Sequence, residues 1–488
     1  MNYLSLSFAA FVILAVLLYY ILPKKCRTGV LLVSSLMFYG LFDNRYFVFL
    51  LFTAITTFLS ALFIEKLKRK RLLIFLCVLL NVGAWFYVKE LQWTMGVTVR
   101  ILHMFGSEAV APTLDLIVPV GISYFTLQAI SYLVDVSKGK IQAERNPFKY
   151  LLFLSWFPAI VQGPISRYDR LMPQLRNKEK ASFEKIRSSL VLVLFGLVKK
   201  MVIADRIAVL VNHCFSNYAE LHGMVLYLGA VGFAIQLYAD FSGCVDICRG
   251  VSGLFGVDLI NNFNRPYFSR SIKEFWSRWH ISLSSWLKDY VYIPLGGNRK
   301  GNVRKYINII ITFLVSGLWH GAGFNFFVWG ILHAIYQIIG SVTLPIRKKI
   351  KGLLEIKEGS FAERFYQIFI TFNLTTFAWI FFRAEGLKVG VAYVKNMLDS
   401  FSLWAVFDES VIFGCGLSQN AMLVLFFNVV VMFAVEHMKK SQEESVSSLL
   451  DTHFILRWGI YVILIFDVLF FGVYGTEFDM AGFLYGGF

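Results

Sequence analysis

Two Trp-His pairs, Trp279-His280 and Trp319-His320, lie within FWSRWHISLSSWLKDYVYIPLGGNRKGNVRKYINIIITFLVSGLWHGAGFNFFVWGILH, the stretch from Phe275 to His333. Histidine takes and gives a proton near neutral pH, so a positioned pair suits general-base work on a hydroxyl. The surroundings are apolar, and an ionisable group at membrane depth costs several kcal/mol unless it is paired or lines a wet cavity. From Lys305 a helix rising about 1.5 Å per residue carries the chain about 22 Å before His320, deep in a hydrocarbon core of roughly 30 Å. Gly317, Gly321 and Gly323 leave space at that backbone for a ligand or another chain. The competing reading of His320 is a buried histidine bonded to a helix carbonyl. His333, in WGILHA, reads as a structural hydrogen-bonder, and Asn325 supplies a polar group between the two.

His280 has a different setting. From Asn264 to Arg304 the chain mixes Trp276, Trp279, Trp286, Tyr290 and Tyr292 with Arg270, Lys273, Arg278, Lys288 and Arg299. An amphipathic helix at the cytoplasmic interface accounts for that mixture, though not for His280. The turn Gly296-Gly297-Asn298-Arg299-Lys300-Gly301 lacks the Gly-Lys-Ser/Thr ending of a phosphate loop and the strand that precedes one. A glycine-rich basic turn can still hold coenzyme phosphates, and an ordinary cytoplasmic turn fits it as well. Arg278, Lys288, Asn298 and Arg299 are the candidates for holding a donor. Further polar groups lie in apolar runs: Gln128, Gln162, Gln236, Asp240 and Asp246. A proton-coupled transporter also uses such groups, but it is usually built from repeated halves with paired broken helices, whereas these concentrate between 236 and 333. A Gly-x-Ser-x-Gly nucleophile elbow is absent.

The elements that position these residues follow from composition. Of 488 residues 57% are hydrophobic and only 16% charged, which excludes a soluble globular chain. Apolar runs recur to the end without β-barrel alternation, so the spans must be helices. The first run, 3–22, carries no charge and continues into Pro23-Lys24-Lys25, which reads as a retained helix rather than a cleaved leader. Further spans are expected at 28–42, 46–64, 72–88, 114–134, 148–163, 188–211, 223–245, 306–340 with a break near Gly321-Ala322-Gly323, 365–382, 420–436 and 454–474. About eleven cross, and runs of about 15 residues are re-entrant candidates. The expectation is an all-α polytopic membrane protein, one integral-membrane domain over 1–488.

The net charge of +16 sits in short segments between spans, as at Lys66 to Arg71, Arg299 to Lys305 and Arg347 to Lys351. That is the cytoplasmic-loop pattern, with contact to anionic lipid as a secondary use, and it argues against nucleic acid. It places both termini on the extracytoplasmic side, the tail TEFDMAGFLYGGF included. The six cysteines show neither zinc spacing nor a Cys-x-x-Cys and read as core residues.

The ordered motifs resemble the membrane-bound O-acyltransferase family in its bacterial, alginate O-acetyltransferase-like branch. They are VPVGISYFTLQAISYLVDV (118–136), FPAIVQGPISRY (157–168), LYADFSGCVDICRG (237–250), NNFNRPYFSRSIKEFWSRWHISLSSWLKDYVYIPLGGNRKG (261–301) and SGLWHGAGFNFFVWGILHA (316–334). The resemblance implies that His320 is the catalytic histidine and His280 the second functional one. Asp240, Gln236, Trp279, Trp319 and Asn325 would support them. It implies a ring of helices around a central tunnel in the bacterial inner membrane, with acetyl-CoA as donor substrate and neither a bound cofactor nor a metal. The acceptor would be a hydroxyl of a surface polysaccharide or peptidoglycan, reached through an extracytoplasmic SGNH or esterase-like acetyltransferase partner. D-alanyl transfer to teichoic acid from a carrier-protein thioester is the alternative, and a glycan or lipid transporter a second. Relatives often end in Phe-x-Tyr-Phe-x-Phe; this chain keeps Tyr485, a candidate acyl relay, but has glycine at 486 and 487.

Overall fold

The computed structural model describes residues 3–474 except 68–69, 115, 178–179, 405–413, 415 and 439–441. Among the described residues the regular structure is helical, apart from one isolated antiparallel bridge between Phe263 and Trp279. Among the described residues seven helices are long and apolar enough to cross a membrane: Tyr46–Lys66, Arg71–Lys89, Met224–Leu254, Phe324–Val342, Phe361–Arg383, Gln419–Met438 and Phe454–Phe471. Of the last two spans only 11% and 6% is buried in protein, so their apolar surfaces are left to lipid. This is a multi-pass membrane protein.

The chain divides into two compact units. The first runs to Val193 and adds Cys244–Ile260. Its helices are α1 (Leu6–Ile21), α2 (Arg27–Gly40), α3 (Tyr46–Lys66), α4 (Arg71–Lys89), α5 (Leu91–Met104), α6 (Ile122–Ser137), α7 (Pro147–Ser155) and α8 (Tyr168–Arg176). Prolines set where several begin and end. The run expected as a span at 114–134 turns helical only at Ile122, after Pro112 and Pro119, because proline removes a donor and holds its predecessor extended. The run at 148–163 is helical only to Ser155 and then folds into turns between Trp156 and Gly163, punctuated by Pro158 and Pro164. The motifs around 121 and 160 are built to touch: a Cβ on Gly121, at φ +79°, would lie 2.2 Å from the Ile160 carbonyl oxygen.

Helix α6 is buried over nearly its whole length. Beside it Tyr132 Oη accepts from Glu144 N (2.8 Å), Tyr168 Oη donates to Glu144 (2.6 Å), and Arg176 bonds the same carboxylate. Burial works against the charged form of Glu144, but the bonds from Tyr168, the Asn146 N–H and Arg176 outweigh it and hold the carboxyl below its usual range.

The second unit comprises Leu194–Gly243 and the chain from Asn261. Helix α9 (Phe183–Leu197) continues through a π-helical segment, Val198–Ala204, into α10 (Asp205–Ser216). Helix α11 (Met224–Leu254) extends further than the expected 223–245. Two short helices, α12 (Ile272–Arg278) and α13 (Ile281–Leu287), precede the hairpin of α14 (Gly301–His320) and α15 (Phe324–Val342). The expected break at 321–323 separates that pair. Then come α16 (Leu344–Leu353), α17 (Phe361–Arg383) and α18 (Leu387–Leu398). Helix α17 starts where Ser360 Oγ accepts from Glu363 N and Glu363 Oε2 accepts from Gly359 N, so one cap satisfies two end donors.

The hairpin of α14 and α15 depends on two glycines. A Cβ on Gly317 would lie 2.5 Å from the Phe326 carbonyl oxygen, and one on Gly330 would lie 2.6 Å from that of Phe313. The two backbones therefore pack directly against each other. The space expected beside His320 for a ligand is taken by the chain itself, since Gly321 faces the Phe326 ring in the same way.

Candidate active site

Both Trp-His pairs and His333 belong to the second unit, and the three imidazoles are buried, at 1%, 2% and 0% exposure for His280, His320 and His333. Histidines and tryptophans alternate through this core. The His280 ring lies 6.0 Å from the Trp319 ring, Trp319 lies 4.8 Å from His320, His320 5.1 Å from Trp329, and Trp329 5.2 Å from His333. Trp319 thus stands between the two candidate catalytic histidines, and Phe382 of α17 packs on His320 at 5.1 Å. Polar interactions inside so apolar a shell are stronger than in water, so a proton-accepting imidazole here acts with little competition from solvent.

His320 is the last residue of α14. It is placed by regular helix geometry and by the glycine contacts that seat α14 on α15. His280 is placed differently. It sits in the left-handed region, φ +44° and ψ +54°, at the junction of α12 and α13. Flanking backbone is held by Asn262, whose carbonyl accepts from Ile281 N (3.0 Å) and whose side chain accepts from Ser282 N (3.0 Å). Next to it Trp279 is fully buried among Tyr238, Phe263, Tyr267, Phe275 and Trp379, with Phe263 also forming the isolated bridge. Phe241 of α11 meets the His280 ring edge to face at 4.8 Å.

The other expected residues divide. Asn325 donates to the carbonyls of Phe381 (3.2 Å) and Ala384 (3.1 Å), which ties α15 to the end of α17. His333 Nδ1 accepts from Trp276 Nε1 (3.2 Å), in keeping with a structural role. Asp240 is buried and ion-paired with Lys200. Gln236, one turn earlier on α11, is buried, and its side-chain carbonyl has no partner among the described residues.

Arg278 is bound to Glu274 (2.6 Å) and reaches the Arg265 carbonyl (3.4 Å). Lys288, Asn298 and Arg299 are exposed, Lys288 on a short π-helical segment (Lys288–Tyr292). Asn298 and Arg299 lie in a turn with Gly296, Gly297 and Gly301 at positive φ, pinned where Asn308 Nδ2 bonds the Gly297 carbonyl at 2.9 Å. The structure therefore leaves Lys288, Asn298 and Arg299 open to solvent and engages Arg278 elsewhere. Tyr485 lies outside the described residues.

Lys200 and Asp205 were not among the expected residues. They lie in a run whose apolar length reads as a span, and the signal was the charge inside it, Lys199-Lys200 followed by Asp205-Arg206. Phe241 and Phe382 were missed because nothing in the local sequence distinguishes an aromatic that faces a histidine from one that faces lipid.

Residues 17–353 match the model of the membrane-bound O-acyltransferase family. The chain belongs to that family. A probable alginate O-acetylase, AlgI, of Pseudomonas aeruginosa is 34% identical over 425 residues, covering 86% of this chain and 78% of that protein. A peptidoglycan O-acetyltransferase of Helicobacter pylori is 33% identical over 75% of this chain and 73% of its own length. A teichoic acid D-alanyltransferase of Bacillus subtilis is 27% identical over 56% of this chain and 71% of its own. Within the membrane-bound O-acyltransferase family the activity is acyl transfer to oxygen, and the chain is an O-acyltransferase. The two Trp-His motifs both fall inside the matched residues.

Proposed function

We propose that this O-acyltransferase moves acetyl groups from cytoplasmic acetyl-CoA to hydroxyls of a surface polysaccharide or peptidoglycan outside the bacterial inner membrane. The observation that carries the reading is the buried pair His280 and His320 with Trp319 between them. His320 acts as general base: it takes the hydroxyl proton of the acceptor, the oxygen attacks the thioester carbonyl, the C–S bond breaks, and the proton passes to the departing thiolate. His280 is the second functional histidine, and Lys288, Asn298 and Arg299 are the residues that meet the donor's phosphates. One integral-membrane domain carries this function, with about eleven crossings around a tunnel, both termini outside and an extracytoplasmic esterase-like partner. Membership in the family and the charge distribution between spans support that arrangement. An acetyl donor is favoured over D-alanyl because the acetyl-transferring relatives match more of the chain at higher identity.

The donor is tested with the purified protein in liposomes. Acetyl-CoA, supplied with a hydroxyl acceptor, releases free thiol at a rate that depends on His320. Thiol release from a carrier-bound D-alanyl thioester and not from acetyl-CoA would replace acetyl by D-alanyl. Release from neither would turn the reading toward a transporter without chemistry.

A further inference from the structure

Inside the second unit Lys200 lies between two carboxylates. Its ammonium is 2.7 Å from Asp205 and is also ion-paired with Asp240. Lys200 and Asp240 are both buried, at 5% and 1% exposure. Such an arrangement is a poor source of stability, since desolvating the ions cancels most of their attraction, but it can specify register. The backbone around it is also unusual. Lys200 belongs to the π-helical segment Val198–Ala204, and π-segments occur often at functional sites. Opposite it α11 comes unusually close: a Cβ on Gly243, three residues after Asp240, would lie 2.8 Å from the Gly196 carbonyl oxygen and 3.2 Å from Lys200 N. A tight backbone approach and a buried ion pair thus fix α11 against the π-segment at one level. Phe241, next to Asp240, is the residue whose ring packs on His280.

We infer that Lys200 is a positioning residue for His280: with Asp240 it sets the register of α11, so that Phe241 holds the imidazole beside Trp319. The inference rests on the acyl-transfer reading. A left-handed non-glycine residue such as His280 persists where its surroundings over-determine it, and the Phe241 ring is part of those surroundings.

The test measures acetate and D-alanine released by mild alkali from the envelopes of cells that carry variants at equal protein amounts, so that either acyl donor is read. Lys200→Met lowers the ester content at least tenfold, and Lys200→Arg, which keeps the charge, retains at least half. The decisive variant combines Lys200→Met, Asp240→Leu and Asp205→Asn, so that neither carboxylate is left without its cation. Replacing a whole buried ionic group by uncharged side chains is often neutral for folding. The combined variant is expected to keep a melting temperature near that of the parent and still lose at least tenfold in ester. Phe241→Leu, which leaves the ion pair intact, loses a comparable amount. Parental ester content in the combined variant, or in Phe241→Leu, would overturn the positioning role even if Lys200→Met failed to accumulate. His320→Ala in the same assay separates the two ideas: if it too is unchanged, the acyl-transfer reading itself has failed.

Discussion

The two Trp-His segments share a dipeptide and little else. His320 ends a regular helix seated by glycines on its own hairpin, so most of what sets its backbone lies between 301 and 330, and Phe382 of α17 adds a distant contact to its ring. His280 stands at a junction of two short helices and is held by Asn262, Phe263 and Phe241, residues 17 to 39 positions away in sequence. One histidine is positioned by local geometry and the other by assembly of distant parts. A local site tolerates changes elsewhere in the fold, whereas an assembled one reports them.

The contrast is broken most severely at the hairpin. Gly317→Val puts side-chain atoms into the Phe326 backbone, which has no flexible end to move aside, and is expected to cost 3 kcal/mol or more, about the scale of severe overpacking. Accumulation in the membrane and thermal stability in detergent report it; a parental melting temperature would show that α14 and α15 can separate freely. At the other segment His280→Gly removes the imidazole while relieving a left-handed backbone that costs roughly 1 kcal/mol. That relief offsets only part of the cavity left by a buried ring, so stability is expected to fall by about 1–3 kcal/mol while envelope ester, at matched amounts of folded protein, falls at least tenfold. Parental ester at matched folded protein would make His280 a structural residue.

Asn262→Ala leaves the histidine present but frees the backbone that carries it. Loss of the bond to Ser282 N predicts about 1–2 kcal/mol of stability and a measurable loss of transfer. The matching change beside His320, Asn325→Ala, is expected to lower stability by a similar amount with a smaller effect on transfer, because His320 is seated by its own hairpin. Equal losses of transfer would erase the distinction between the segments.

The smallest effect lies in the first unit. Glu144→Gln loses charged bonds to Arg176 and Tyr168, about 1–2 kcal/mol. Because folding lowers the Glu144 pKa, its stabilisation is fully present above the unfolded-state value of about 4.5 and fades as pH falls through the lower folded value. Melting curves of parent and variant should therefore converge in acid, with transfer at neutral pH little changed.

How legible each part was follows the same division. The helical hairpin and its break at 321–323 could be read from apolar runs and glycines. His333 reads from the sequence as a hydrogen-bonder, and its Nδ1 accepts from Trp276 Nε1. Where Pro119 and Pro158 interrupt apolar runs, length alone suggested spans that the backbone does not make. The setting of His280 was hidden because an αL residue, an isolated bridge and an edge-to-face ring contact leave no periodic signature. Lys200 was visible as a charge in an apolar run, but its pairing with Asp240 joins residues 40 positions apart. The glycines around His320 were recognised correctly as sites of close approach, and the approaching group proved to be Phe326 rather than a ligand.

The central claim is that His320 performs the acyl transfer, and one comparison tests it most directly. Alkali-labile acetyl ester is measured on envelope polymers from cells with the parent chain or His320→Ala, matched for protein in the membrane and for melting temperature. Loss of a general base predicts a drop of about 100-fold or more, to the level of cells lacking the protein. Ester content equal to the parent's would contradict the claim and remove His320 from the chemistry.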